Sequence, residues 1–283
     1  MSTNDSLKAL IELGFTGLEA EIYTFLLQES PATGYRIAQA IGKPVANTYK
    51  GVQSLEKKGA ILVEESANRI CRAVPPDELL ARLERRFQEK KRKANLMLSG
   101  FKKLEGDDRV YQIRSAEQVI ERCRRMLQNC RKVAVIDIFP KMLDQLRADI
   151  EELANRDVSV AVKVYRPAQI AGAKVFEQAD GEKVLRRWSG QWLNVVVDGA
   201  EYLLAFLTPD AEQVYQAVWS GSAYLSWVYY CAVMAELQIV GLKKRISKDM
   251  SAQQIQQLLE KYDSMFSLEA PGYQQLISRF GSR

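Results

Sequence analysis

The chain is predicted to form two unlike domains, of α+β and α/β class: a small head with a helical connector behind it, then a larger sheet domain. Three observations predict this. Residues 10–75 hold three short amphipathic helix patterns followed by two strand patterns around a polar turn. Residues 76–108 are charged and helical in pattern. From Val110 on, strand and helix patterns alternate, which argues for an α/β layer with a largely parallel sheet. A length of 283 residues suits two ordinary domains and exceeds what one small head needs. The expected division is 1–75 for the head, 76–108 for the connector, 109–248 for the sheet domain and 249–283 for a C-terminal helical tail.

In the head, Thr16 followed by Glu19 is a capping box that starts a helix, and Leu18, Ile22, Phe25 and Leu26 recur along one apolar face. The second helix is short, with Thr33 as its N-cap and Gly42 as its stop. The third opens at Pro44 and closes at Gly59, the usual asymmetry of helix ends. Val45, Thr48, Tyr49, Val52 and Leu55 make its buried stripe, leaving Ala46, Asn47, Lys50, Gln53 and Lys57 outside. The stretch after Gly59 reads as two strands about a turn at Ala67 to Arg69. Two closely linked helices and a β-hairpin compose a winged helix-turn-helix, whose last helix enters the DNA major groove. Candidate DNA contacts on that helix are Asn47, Thr48, Lys50, Gln53 and Lys57, whose polar and cationic groups suit base edges and phosphates. Arg36 on the second helix and Arg69 in the turn are candidate phosphate contacts. The alternative is a tri-helical protein adaptor that binds no nucleic acid.

These runs carry a resemblance. LGFTGLEAEIYTFLL, then SPATGYRIAQAIGKPVANTYKGVQSLEKKGAILVE, then RAVPPDELLARL resemble the TrmB family of transcriptional regulators over roughly the first hundred residues. The Leu-Gly-Phe-Thr start, the Pro-Ala-Thr ahead of helix two, the Tyr49 to Gly59 stretch and the Ala-Val-Pro-Pro after the wing match in order. At the start of the recognition helix, where family members often carry more basic residues, this chain has Val45, Ala46 and Asn47. The resemblance implies a transcriptional regulator whose partner is a double-stranded DNA operator.

Composition narrows the classes. A net charge of +5 is not that of a bulk polyelectrolyte, so DNA binding must depend on where the charges sit. Met1 to Ser6 is polar and no apolar core follows, so no secretory signal is read and a cytoplasmic location is expected. The most apolar stretch, from Gln213 to Ala235, is interrupted by Gln216, Ser220, Gly221, Ser222 and Ser226, so it reads as a strand and a buried helix, with no membrane partner. Cys71, Cys123, Cys130 and Cys231 show no C-x-x-C pair and read as reduced thiols, a redox role for Cys123 and Cys130 being the alternative. In the connector Leu79, Leu80, Leu83, Phe87, Leu96 and Leu98 are scattered about a polar middle, QEKKRKAN. The favoured reading is a helix that packs on its twin in a homodimer, placing two heads on a two-fold operator. The alternatives are a solvated linker and a DNA-backbone contact through Lys90 to Lys93.

In the sheet domain VYQIR is a strand, SAEQVIERCRRMLQNC a helix with a capping box from Ser115 to Gln118, and KVAVIDIF a buried strand. MLDQLRADIEELANRD is a helix, VSVAVKVY a strand, and WLNVVVDGAEYLLAFL two strands about Asp198-Gly199, a tight-hairpin pair. The segment from Gln213 continues as an edge strand and a long helix toward Arg245. This layout resembles the C-terminal domain of the same regulators, which has a phospholipase D-like fold. Active enzymes of that superfamily use His-x-Lys-x-x-x-x-Asp. Here Asp198 and Gly199 match, but Gln191 stands at the histidine position and Leu193 at the lysine position, and the chain has 0 histidines. An amide cannot attack phosphorus and leucine cannot stabilise an anion, so no enzyme of this type is expected, and Asp198 reads as a turn residue. The resemblance implies instead an effector sensor for a small molecule, often a sugar. Candidate effector contacts are Asp137, Arg166, Trp188, Gln191, Trp192 and Asn194. Trp219, Tyr224, Trp227, Tyr229 and Tyr230 are read as core or a dimer face, and the tail as an amphipathic helix about Ile255, Leu258, Leu259, Tyr262 and Met265. No cofactor is expected. The competing class is a metal-dependent enzyme using Asp137, Asp157, Glu177 and Asp180.

Overall fold

Local capping organises the head before any packing does. In the computed structural model, which describes residues 3–64, 69–101, 107–245, 250–263 and 269–281, Thr16 accepts from the Glu19 amide while the Glu19 carboxylate accepts from the Thr16 amide. The chain divides into two units, Met1–Lys103 and Leu104–Arg283.

The first unit runs α1 (Thr3–Glu12), α2 (Gly17–Gln28), β1 (Ala32–Thr33), α3 (Gly34–Ala40), α4 (Val45–Lys58), β2 (Ile61–Val63), β3 (Ile70–Ala73) and α5 (Pro76–Leu98). Thr33 caps α3 and Gly42, at φ 64, follows its end; Pro44 precedes α4 and Gly59, at φ 73, ends it in the left-handed conformation. Ile22, Leu26, Ile37, Val52, Leu55, Ile61 and Leu79 form one core. Helix α1 and strand β1 are additions to the sequence reading. Strand β1 is two residues long and pairs antiparallel with β3, Ala32 opposite Cys71, giving the sheet order β1-β3-β2. A two-residue strand has no periodicity to read. The turn at Ala67 and Asn68 lies outside the described residues.

The second unit runs β4 (Val110–Gln112), α6 (Ala116–Asn129), β5 (Val133–Ile138), α7 (Pro140–Ala154), β6 (Ser159–Val164), β7 (Lys174–Glu177), α8 (Gly181–Arg187), β8 (Gln191–Val197), β9 (Glu201–Leu207), β10 (Val214–Ser220), α9 (Ala223–Arg245), α10 (Ala252–Asp263) and α11 (Pro271–Phe280). Its sheet is ordered β4-β10-β9-β8-β5-β6-β7. The expectation of a largely parallel sheet is corrected: only β5–β6 and β6–β7 pair in parallel, and β8, β9, β10 and β4 are antiparallel to their neighbours. Helical crossovers enforce parallel pairing, and after Val197 the chain instead returns through short turns. The segment from Gln213 is not an edge strand either, since β10 lies between β9 and β4. Strand β7 and helix α8 carry no legible periodicity, because they span only four and seven residues.

Alternation on the central strands gives the sheet two buried faces. Ala134, Ile136, Leu193, Val195 and Leu203 pack beneath α6 and α7 with Met126, Leu127, Leu146 and Ile150. Val133, Val135, Ala161, Val196 and Tyr202 face α9 with Tyr230, Met234 and Leu237. Helix α9 has the length and apolarity of a membrane span, yet these residues bury one of its faces on the sheet. In the tail, Ile255 is half-buried and Leu259 exposed, while the side chains of Leu258, Tyr262 and Met265 lie outside the described set.

Candidate nucleic-acid interface and sheet-domain site

Helix α4 is held at both ends and along one flank. Gly34 and Gly51 allow the close approach of its neighbours: a Cβ on Gly34 would sit 2.7 Å from the Tyr49 ring, and one on Gly51 would sit 2.6 Å from Ile22 Cδ1. At its carboxyl end the Lys58 ammonium donates to Glu19 Oε2 (2.6 Å) and to the Gly14 carbonyl (3.0 Å), and lies over the Phe15 ring. Burial would raise the Glu19 carboxyl, but hydrogen bonds from Lys58, Ser54 and the Thr16 amide outweigh it and hold the group at about 2. From α5, Arg82 Nη1 donates to the Gly59 carbonyl (2.9 Å) and Arg86 Nη1 to the Lys58 carbonyl (3.4 Å), satisfying acceptors at the negative end of α4. Sequence reasoning missed Lys58, Arg82 and Arg86 in these roles, because partners 23 to 44 residues apart leave no local signal.

The outer face of α4 presents Ala46, Asn47, Lys50, Gln53 and Lys57 to solvent. Two assignments are corrected. Thr48 is 0% exposed and its hydroxyl donates to the Pro44 carbonyl, so it belongs to the core and cannot touch a base. Val45 is 39% exposed rather than buried, because it occupies the first turn, ahead of the contact with α2 and α3. Arg36 and Arg69 are exposed but already paired, with Glu29 (3.1 Å) and Glu56 (3.4 Å) respectively. Either could exchange a carboxylate for a phosphate at small cost, since exposed pairs contribute little.

In the second unit, Asn194, Asp137 and Lys163 stand side by side on β8, β5 and β6, on the face covered by α9. Asp137 accepts from the Tyr165 hydroxyl (2.9 Å), and Lys163 is tied to Glu236 of α9 and lies 4.0 Å from Asp137. Burial pushes the Asp137 carboxyl up to about 6 against the pull of Lys163 and Tyr165. At the same end of the sheet Trp188 meets Trp192 and Phe206 edge-on, Phe206 meets Tyr215, and Phe139 joins Trp192 to Tyr165. Trp188 is 43% exposed and Trp192 half-buried. Gln191 reaches the Pro209 carbonyl at 3.5 Å, while its buried Oε1 has no partner. Arg166 stands apart from the tryptophans, paired with Glu182 (2.7 Å) at the rim of a cavity of about 230 Å³ with Tyr165, Arg147 and Asp144. All six candidates therefore lie at one end of the sheet, five of them joined by aromatic contacts or by neighbouring strands and Arg166 just beyond β6, and Asp137 is a buried structural partner of Tyr165.

Two family models match the chain in succession. One, described as the sugar-specific transcriptional regulator TrmB, covers residues 10–77; the other, described as the EBD N-terminal subdomain of transcriptional regulator TrmB, covers residues 109–229. The chain belongs to the TrmB family of transcriptional regulators. As a TrmB-family protein it is a DNA-binding regulator. The chain is similar to the uncharacterized protein YrhO of Bacillus subtilis (strain 168), with 24% identity across 71% of this chain and 74% of that protein. Among solved structures it is similar to the archaeal chromatin protein TrmBL2, with 18% identity, a TM-score of 0.39, and coverage of 82% of this chain and 97% of that one. NucT from Helicobacter pylori is similar at 9% identity and a TM-score of 0.37, over 46% of this chain and 96% of that one.

In this TrmB-family chain Asp198, read from the sequence as a turn residue, has a structural use. The Asp198 carboxylate accepts from the amides of Arg131 (2.9 Å), Lys132 (2.8 Å) and Val133 (3.1 Å), pinning the α6–β5 turn to the β8–β9 turn. Leu193 is fully buried in the core beneath α6 and α7. Of the carboxylates named for a metal-dependent enzyme, Glu177 pairs with Lys244 and Asp180 with Lys183, and among the described residues no group of three or more carboxylate or thiol side chains converges. Cys123 and Cys130 are buried free thiols, each pushed up to about 12 chiefly by that burial, which opposes a redox role.

Proposed function

We propose that this regulator reads a double-stranded operator with Asn47, Lys50, Gln53 and Lys57 of α4, that Arg36 and Arg69 grip the flanking phosphates, and that it acts as a cytoplasmic homodimer whose operator affinity follows a small-molecule effector bound by the sheet domain. The observation that carries this reading is the one-sided face of α4, where Lys50 and Lys57 are exposed with no carboxylate partner among the described residues. Asn47→Ala or Lys50→Ala is expected to weaken operator binding by about 1–3 kcal/mol each, and Lys57→Ala to weaken all sequences alike and lower the salt slope by about 1. Fluorescence anisotropy on an operator selected from genomic fragments, read across a salt series, checks both. Parent-like affinity in both Asn47→Ala and Lys50→Ala would remove α4 as the reading helix.

For the dimer, helix α5 supplies the surface. Leu80 and Phe87 are 47% and 64% exposed and stand seven residues apart, the repeat of a two-helix seam, with Leu96, Met97 and Leu98 exposed toward its end. Phe87→Glu is expected to give a monomer by sedimentation velocity with its circular dichroism retained. A dimeric Phe87→Glu protein would place the interface elsewhere. For the effector, Trp188 and Trp192 offer ring faces of the kind that stack on a sugar, with Gln191 and Asn194 beside them for hydroxyl groups.

A further inference from the structure

We propose that the sheet domain also carries an anion-binding pocket at its β4 edge, built by Arg122 and Arg125 over the indole of Trp219, which takes a small phosphorylated or carboxylated metabolite. The pocket arises from how α6 sits on the sheet. Val119, Cys123, Met126 and Leu127 bury one stripe of the helix in the core. The adjoining stripe, Gln118, Glu121, Arg122 and Arg125, overhangs β4 and β10 and encloses about 510 Å³ with Tyr111, Gln112, Ile113 and Trp219. That volume lies within the range of small-molecule sites.

The floor is rigid and aromatic. Trp219 and Tyr111 face each other in register across β10 and β4, their rings stacked with centroids 5.6 Å apart. The indole nitrogen is committed to Glu201 (2.6 Å), which fixes the ring beneath the pocket. The Arg122 guanidinium lies 4.1 Å from the centre of that face. Stacking of this kind uses the plane of the guanidinium and spares its N–H edges, the groups that bind a carboxylate or phosphate in bidentate fashion. Arg125, one turn on, is exposed and has no ion-pair or hydrogen-bond partner among the described residues, and Glu121 pairs with neither arginine. Two guanidinium groups without a carboxylate partner among the described residues, one of them held on the indole, stand beside Gln112 and Gln118 and match an anionic head on a compact polar body. A neutral sugar would leave both charges unanswered.

This inference rests on the effector reading only for its consequence at the operator; binding in the pocket is measured without DNA. The full-length protein is titrated with glucose 6-phosphate, citrate, inorganic phosphate and glucose by calorimetry and by tryptophan fluorescence. Saturable binding of glucose 6-phosphate or citrate is expected, with glucose inert. Arg125→Gln is expected to weaken it about tenfold or more, the loss of one charge-assisted contact, with the thermal midpoint unchanged, and Trp188→Ala to leave it intact. Binding of no anion at about 10 mM, equal binding in Arg122→Gln and Arg125→Gln, or loss of binding in Trp188→Ala instead would each overturn the proposal. Anion binding that survives these controls yet leaves operator affinity unchanged would uphold the pocket as a binding site and leave the effector reading to the Trp188–Trp192 end of the sheet.

Discussion

Replacing Asp198 with alanine is expected to destabilise the sheet domain by roughly 4 kcal/mol. Three backbone amides, of Arg131, Lys132 and Val133, converge on this carboxylate at 2.8–3.1 Å, and the residue is buried. Alanine would leave those donors without an acceptor in a site closed to bulk water. It would also have to adopt φ near 55, which aspartate and asparagine tolerate better. Asp198→Asn, which keeps an acceptor oxygen and the left-handed backbone, is expected to lose about half as much. The measurement is urea unfolding followed by tryptophan fluorescence. All four tryptophans (Trp188, Trp192, Trp219, Trp227) lie in the second unit, so the signal reports that unit alone. An Asp198→Ala midpoint equal to the parent's would show that the turn does not depend on its carboxylate.

Lys58→Met should have a comparable effect on the head, about 3 kcal/mol, because it strands the Glu19 carboxylate in the core rather than removing a surface pair. Glu19 is 3% exposed, and its oxygen is shared between the Thr16 amide and the Lys58 ammonium. Its pKa is held at about 2, below the ordinary 4.5. Its contribution is therefore fully present above pH ~4.5 and is lost as pH falls from there through ~2, worth on the order of 2 kcal/mol given the partial exposure of Lys58. In Lys58→Met the remaining burial favours the protonated acid, so the deficit relative to the parent is greatest at neutral pH and narrows in acid. Hydrogen exchange of α2 and α4 amides at pH 7 and pH 4 checks this sign. A deficit that widens in acid would contradict the assigned pairing. Since Lys58 closes the last turn of α4, operator affinity should fall with it.

Much of the head was legible because its signals are local. Thr16 with Glu19, Thr33, Pro44 and Gly59 mark helix ends through contacts within four residues, and each stands where it was read. The same holds for Ser115, which caps α6, and for Asp198-Gly199, both at positive φ in the β8–β9 turn. Thr48 illustrates the limit. Its spacing places it on the buried stripe while its hydroxyl suggests a base contact; it lies in the core, where the Pro44 carbonyl satisfies the hydroxyl, so the stripe reading holds and the base contact does not. Spacing on one helix defines faces; which face is covered depends on the helices around it.

The sequence by itself determined the head followed by a sheet domain, the capped helix ends of α2, α3, α4 and α6, the longer strands of the sheet and the absence of histidine, because caps, alternation and composition are written in neighbouring residues. Tertiary structure decided the rest: the antiparallel half of the sheet, the Lys58–Glu19 and Arg82–Gly59 ties that set α4, the use of Asp198 as a triple acceptor, and the meeting of Arg122 with Trp219. The side-chain ties among these join groups separated by 23 to 97 residues. Such pairings are selected by packing of whole elements against one another, and that choice minimises buried unsatisfied groups and fills a three-dimensional core rather than following any repeat along the chain.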